Sequence, residues 1–149
     1  NIIQFSVPGG RFLDMFAGSG QMGIEALSRG AASAWFFEPD AAAFRLLRGN
    51  VGRLPGGLDA RLYQAPYARL AQLAPKPVFD VAYIDPPFGG GLFLEALDFL
   101  IGGGYISAGG TVVCEAPRGT PLPPQLGPFA AKVRSYGKIS LYVYTRNEE

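Results

Sequence analysis

The sequence predicts an α/β fold: an open, mostly parallel sheet with helices on both faces and an antiparallel hairpin at its C-terminal end. Three observations carry that expectation. Short apolar runs alternate with helix-like stretches from residue 11 to residue 116, the pattern of successive βαβ units. A glycine-rich turn joins the first apolar run to the first helix. The tail, 130–146, alternates polar and apolar residues and breaks at Gly137, as two antiparallel strands would.

The elements follow in order. "RFLDMF" (11–16) reads as a buried strand, and "QMGIEALSRG" (21–30) as a helix with Met22, Ala26 and the stem of Arg29 on one face and Gly30 as its stop. "SAWFFE" (33–38) is a strand. "DAAAFRLLRGNV" (40–51) is a helix capped by Asp40, with Phe44, Leu47 and Val51 at helical spacing. "ARLYQ" (60–64) is a short strand, and "PYARLAQL" (66–73) a short helix with Pro66 in its first turn. "FDVAYID" (79–85) and "GTVVCEA" (110–116) are strands flanking the helix "LFLEALDFLIG" (92–102). "LPPQLGP" and its neighbours (121–128) read as a loop. In such a sheet each crossover is right-handed, and ligands bind at the carboxyl ends of the strands.

Composition narrows the function. The 149 residues suit one domain, and 48% apolar against 17% charged residues fits a folded core. No apolar run approaches the ~20 residues that span a bilayer, and "NIIQFSVPGG" lacks the marks of a signal peptide. The lone Cys114 reads as a small core residue, and one cysteine leads to an intracellular, cytoplasmic expectation. The absence of histidine excludes His-based triads and His metal ligands, so no metal site is expected. A net charge of +1 is not that of a strongly basic nucleic-acid binder, yet five basic residues and no acid lie between Arg118 and Arg146.

The first rim is "DMFAGSGQMG". Gly18, Gly20 and Gly23 match G-x-G-x-x-G, a spacing that lets backbone approach a nucleotide and that also serves as a plain tight turn. Asp14 stands at the strand's end, where it would repel a pyrophosphate and suit a cationic ligand such as S-adenosylmethionine. Glu38, in "FFEPD", can accept both ribose hydroxyls, which does not by itself separate NAD from S-adenosylmethionine; Asp14 favours the latter. Phe16, Ala17, Ser19 and Pro39 complete this part of the candidate cofactor site. At the third rim, "YQAPY" offers Ala65, Pro66 and Tyr67 where an acid would hold the adenine amine, leaving backbone groups or stacking on Tyr67 to do so.

"IDPPF" ends the fourth strand on an acid. An exocyclic amine on a base is a poor nucleophile because its lone pair is delocalised into the ring. The Asp85 carboxylate and the Pro86 carbonyl can accept its two hydrogens and turn the lone pair toward a methyl donor. Pro86 and Pro87 keep the turn rigid and rich in acceptors, and Phe88 offers a face for stacking. A rigid Pro-Pro turn alone would read the same way without the glycine loop upstream.

"FLDMFAGSGQMGIEALSRGA", "FFEPD", "IDPPF" and the closing "SYGKISLYVY" together resemble the bacterial small-subunit rRNA guanine-N2 methyltransferases of the RsmD family, from about Ile2 to the end. The resemblance implies a single domain over 1–149 with a class I S-adenosylmethionine-dependent methyltransferase (Rossmann-like) fold. It implies S-adenosylmethionine as donor and one guanine amine of 16S rRNA, free or in the small ribosomal subunit, as acceptor, with a monomer as the expected state. The family roles fall on Asp14, Gly18, Gly20 and Glu38 for the cofactor and on Asp85 to Phe88 for the base. The basic N-terminal hairpin and helix of the family are expected to be absent, "GGG" follows "DPPF" where relatives carry basic residues, and the third-strand acid is lacking. The competing readings are an amino-methyltransferase for adenine N6 or a protein amide, a NAD-dependent dehydrogenase, and a non-catalytic RNA-binding relative.

Overall fold

Runs of aromatic and β-branched residues form five parallel strands that pair in the order β3-β2-β1-β4-β5. A computed structural model describes residues 8–87 and 91–146. The parallel strands are β1 (Arg11–Asp14), β2 (Ser33–Phe37), β3 (Ala60–Tyr63), β4 (Phe79–Ile84) and β5 (Ile106–Pro117). An antiparallel strand, β8 (Ile139–Arg146), pairs with β5; β7 (Phe129–Tyr136) and the two-residue β6 (Gln125–Leu126) follow it, giving the full order β3-β2-β1-β4-β5-β8-β7-β6. The helices are α1 (Gln21–Ser28), α2 (Ala41–Gly52) and α3 (Leu92–Gly102).

The period of two along each strand divides the core into two layers. One layer joins Phe12, Phe36, Tyr83, Val113 and Leu141 to Ala26 and Leu27 of α1 and Leu47 of α2. The other joins Leu13, Phe37, Ile84, Cys114 and Tyr144 to Phe93, Leu97 and Leu100 of α3. Helices therefore cover both faces, as the alternation predicts. Cys114 is buried among apolar side chains, which push its thiol pKa up, so it is a core residue.

The structure corrects several boundaries. β1 stops at Asp14, because Met15 and Phe16 already belong to the turn in which the Ala17 N–H donates to the Phe37 carbonyl at 3.0 Å. α1 buries Gly23, Ala26 and Leu27 rather than a Met22–Ala26–Arg29 face; Arg29 is exposed and paired with Glu25 at 2.7 Å. Residues 67–72 form a 3-10 helix in place of the expected 66–73 helix, with i→i+3 bonds such as Arg69 N–H to Pro66 O at 3.0 Å. A six-residue segment anchored by buried Leu70 is too short to repay α-helix nucleation. β5 begins at Ile106, four residues before its expected start, since a register irregularity between Phe79 and Val81 sets residues 107–110 opposite Asp80 alone. The expected loop at 121–128 contains β6. α2 bears out its cap: Asp40 Oδ2 accepts from the Ala43 N–H at 2.9 Å.

Candidate active site

The carboxyl ends of β1, β2, β4 and β5 meet around an open cleft of about 980 Å³. Its lining includes Asp14, Phe16, Ala17, Gly18 and Ser19 from the turn after β1, and Glu38, Pro39 and Asp40 from the end of β2. Tyr83, Asp85 and Pro87 come from β4 and its exit, Leu92 from α3, and Glu115 from β5. The cleft forms there because β1 is the middle one of the five parallel strands, the point where strand order reverses between β2 and β4.

The glycine loop holds its shape through specific bonds. Gly18 has φ +55° with open space where a Cβ would stand, so backbone conformation is what requires glycine there. Its N–H donates to Glu38 Oε1 at 2.8 Å, and the other carboxylate oxygen accepts from the Asp40 N–H at 2.9 Å. Glu38 therefore fastens the loop to the end of β2 and retains lone pairs toward the cleft. Asn50 of α2 donates to the Ser19 carbonyl at 2.9 Å. Gly23 serves packing instead. A Cβ there would collide with the ring of Phe36, so this glycine lets α1 lie close on the sheet.

Five acids line the cleft: Asp14, Glu38, Asp40, Asp85 and Glu115. Asp14 is 1% exposed, and its Oδ1 has no hydrogen-bond partner among the described residues. Burial pushes its pKa up to about 7, against the opposing effect of the Gly23 backbone N–H, and the nearby Asp85 and Glu38 add to the rise. A buried acceptor without a partner, facing a cleft, is a place for a cation or a donor. Asp85 keeps solvent access on one side, yet desolvation by the cleft walls raises its pKa to about 6. The Glu115 charge raises it further, and the Tyr83 hydroxyl pulls it back. Tyr83 donates to Glu115 Oε1 at 2.6 Å and lies 3.4 Å from Asp85 Oδ2, so its one proton is held chiefly by Glu115. Burial, first, and that bond to Glu115 keep Tyr83 in its neutral form.

Most of the residues read from the sequence meet here. Asp14, Phe16, Ala17, Gly18, Ser19, Glu38, Pro39, Asp85 and Pro87 line one cleft. Gly20, Gly23 and Pro86 are chain neighbours of the lining residues, Pro86 buried between Asp85 and Pro87. Ala65 is buried away from the lining, and Tyr67 sits edge-on to Phe16 with ring centroids 5.5 Å apart, behind the cleft rather than in it. Phe88 lies outside the described residues. Sequence reasoning missed Glu115 and Tyr83. Their signal was parity: both occupy the same face as Asp14 and Asp85 on neighbouring strands, with Tyr83 beside Val113 in register.

A central parallel sheet in this order, closed by a reversed hairpin and carrying a glycine loop and acids at its carboxyl rim, is a class I S-adenosylmethionine-dependent methyltransferase. The family described as "Conserved hypothetical protein 95" matches residues 1–145. The "Ribosomal RNA small subunit methyltransferase D" of Haemophilus influenzae is 31% identical over 134 residues, covering 89% of this chain and 69% of that protein. A solved structure described as a conserved hypothetical protein of Streptococcus pyogenes superposes with TM-score 0.84 at 28% identity, covering 94% of this chain and 88% of the other. The Thermus thermophilus 16S rRNA N2 G1207 methyltransferase, solved with AdoMet and guanosine, shares the fold at TM-score 0.75 and 19% identity, over 95% of this chain and 38% of that one. The chain belongs to the RsmD family of methyltransferases.

Proposed function

We propose that this protein methylates the exocyclic N2 amine of a guanine in small-subunit rRNA, with S-adenosylmethionine as donor. The observation that carries the reading is the shared cleft. Asp85 opens into the same space as the buried, unpartnered carboxyl oxygen of Asp14 and the glycine loop fastened by Glu38. The relative from Haemophilus influenzae bears the name of a small-subunit rRNA methyltransferase, and a structural neighbour was solved with AdoMet and guanosine.

The residues present fit the donor. Asp14 offers a carboxylate to its amino group, Gly18 an open backbone approach, and Glu38 acceptors for its ribose hydroxyls. Bound S-adenosylmethionine supplies an electrophilic methyl group. The chain's own part is positioning and proton handling. Asp85 and the Pro86 carbonyl accept the two amine hydrogens and turn the lone pair out of conjugation. The two prolines hold that pair of acceptors still. The methylated amine is acidic, and Asp85 takes its proton. Flipping a base costs a few kcal/mol, and charge-assisted hydrogen bonds of about 1.5–3 kcal/mol offset much of that.

The deciding experiment is tritiated methyl transfer onto small subunits from cells lacking the modification, beside naked 16S rRNA and DNA, with the product nucleoside resolved by mass spectrometry. Label in N2-methylguanosine of the rRNA is expected. Label in N6-methyladenosine, or in protein, would replace the proposal with another amino-methyltransferase. Asp85→Ala is expected to abolish transfer and leave donor affinity within a few-fold; equal loss of both would make Asp85 a structural residue. Residues 1–149 form one methyltransferase domain in this reading, and it acts as a monomer.

A further inference from the structure

We propose that the outer strands β7 and β8 form a track for single-stranded RNA that runs into the cleft. On it Lys132 and Arg134 neutralise phosphates, and Tyr136 stacks a base beside the target. The proposal rests on the reading of rRNA as the substrate.

Residues directly opposite one another on paired strands point to the same face of a sheet. Glu115 of β5 stands opposite Leu141 of β8, which stands opposite Arg134 of β7. Val113, Val143 and Lys132 form the row below, and Pro117, Ile139 and Tyr136 the row above. Glu115 lines the cleft, and Val113 and Leu141 belong to the apolar layer of Tyr83. Lys132, Arg134 and Tyr136 thus stand on the cleft's own face of the sheet. The Arg134 backbone is two strand spacings from that of Glu115, about 10 Å, and the three side chains follow one another at about 7 Å along β7.

The surface is free to bind. Every residue from Lys132 to Tyr136 is exposed, and neither Lys132 nor Arg134 has a carboxylate partner among the described residues. Lys138 and Arg118 extend the positive run at the hairpin turn, where Arg118 donates to the Gly137 carbonyl at 3.0 Å. No acid occurs between Arg118 and Arg146. The division of charge is functional: Asp85 and Glu115 repel phosphates and take base edges, while the cations hold the backbone one or two strands away. Lysine and arginine on an edge strand also discourage strand addition. That role alone gives no reason for an exposed tyrosine in line with them, whereas cations alternating with an aromatic ring are what single strands bind.

The test measures methyl transfer to unmodified 16S rRNA or small subunits at several salt concentrations. The Lys132→Gln/Arg134→Gln double variant is expected to raise the RNA KM about tenfold, with kcat and donor Kd within twofold of wild type. The slope of log kcat/KM against log salt should become shallower by about 1.4, or 0.7 per lost phosphate contact on a single strand. Tyr136→Leu should raise KM about fivefold with the slope unchanged. A matched Arg11→Gln/Lys76→Gln variant, with the same charge loss at the opposite rim, should leave KM within twofold. Unchanged KM and slope in the first variant, or an equal loss in the matched one, overturns the track alone. Absence of transfer by the wild-type protein overturns the substrate reading and the track with it.

Discussion

Asp85 must be ionised to accept hydrogen bonds from an amine, and the cleft raises its pKa to about 6. At saturating donor, the acid limb of kcat/KM for the RNA should therefore fall near pH 6, well above an ordinary carboxylate. Glu115 supplies part of that rise, so Glu115→Gln should move the limb to lower pH, though not to 4, because desolvation is the larger cause. A pH–rate profile of the two proteins checks this; superimposable profiles would remove Glu115 from the electrostatics of the site. Asp14 titrates at about 7, and a cationic donor requires its charged form. Donor binding measured by calorimetry should weaken up to tenfold per pH unit below 7 and release a proton, a dependence that Asp14→Asn lacks. The sequence disclosed Asp14 and Asp85 because each ends an apolar run beside a motif. It did not disclose Glu115, which lies inside a continuous strand, "TVVCEAP", and becomes a cleft residue only through its register with β4 and β8.

At the scale of elements, strands and helices were legible wherever the apolar period was long. α3 spans the expected residues, and the hairpin turns at Gly137, φ +56°. Errors fell where tertiary contacts override local pattern. The expected strand starts at Gly110, yet β5 begins at Ile106 and runs through Gly109 because pairing with β4 starts at Phe79–Ile106. β6 exists only because its two residues pair with Phe129 and Ala130. The glycine loop hid a division of labour that the motif does not express. Gly18 needs its backbone conformation, Gly20 needs both conformation and the space beside Leu47, and Gly23 needs space alone. Gly23→Ala should accordingly act on α1 packing rather than on ligand approach. The Phe36 ring, itself fully buried, has to move to admit the methyl group, a loss of about 1–3 kcal/mol. Urea denaturation should show the lower midpoint, and calorimetry should show donor affinity reduced less than by Glu38→Ala, which releases Gly18 and removes a ribose acceptor together. The opposite ranking would mean that α1, not the Glu38 bond, sets the loop.

At the scale of the whole molecule, the site is maintained at a cost in stability, and pH exposes that cost. Asp14 has an unfolded pKa near 3.9 and a folded value of about 7, raised chiefly by burial. Between those values the folded chain binds more protons than the unfolded one, so folding stability declines as pH rises through the window. The contribution is intact below about pH 4 and lost above about pH 7, up to roughly 4 kcal/mol for a shift of this size. Asp14→Asn removes the charge while its amide oxygen can still accept the backbone N–H bonds of Gly23 and Phe16. The variant should therefore be more stable than wild type at pH 8, about equal at pH 4.5, and bind the donor more weakly than wild type does at pH 8. Saturating donor should restore much of the wild-type deficit at pH 8, because a cation beside the carboxylate stabilises its charged form and ligand binding adds to folding stability. Chemical denaturation at both pH values, with and without S-adenosylmethionine, checks all three expectations. Parallel pH slopes for the two proteins would show that Asp14 is not the group whose ionisation the fold resists, and the idea that a carboxylate is kept buried for a cationic ligand would fall with it.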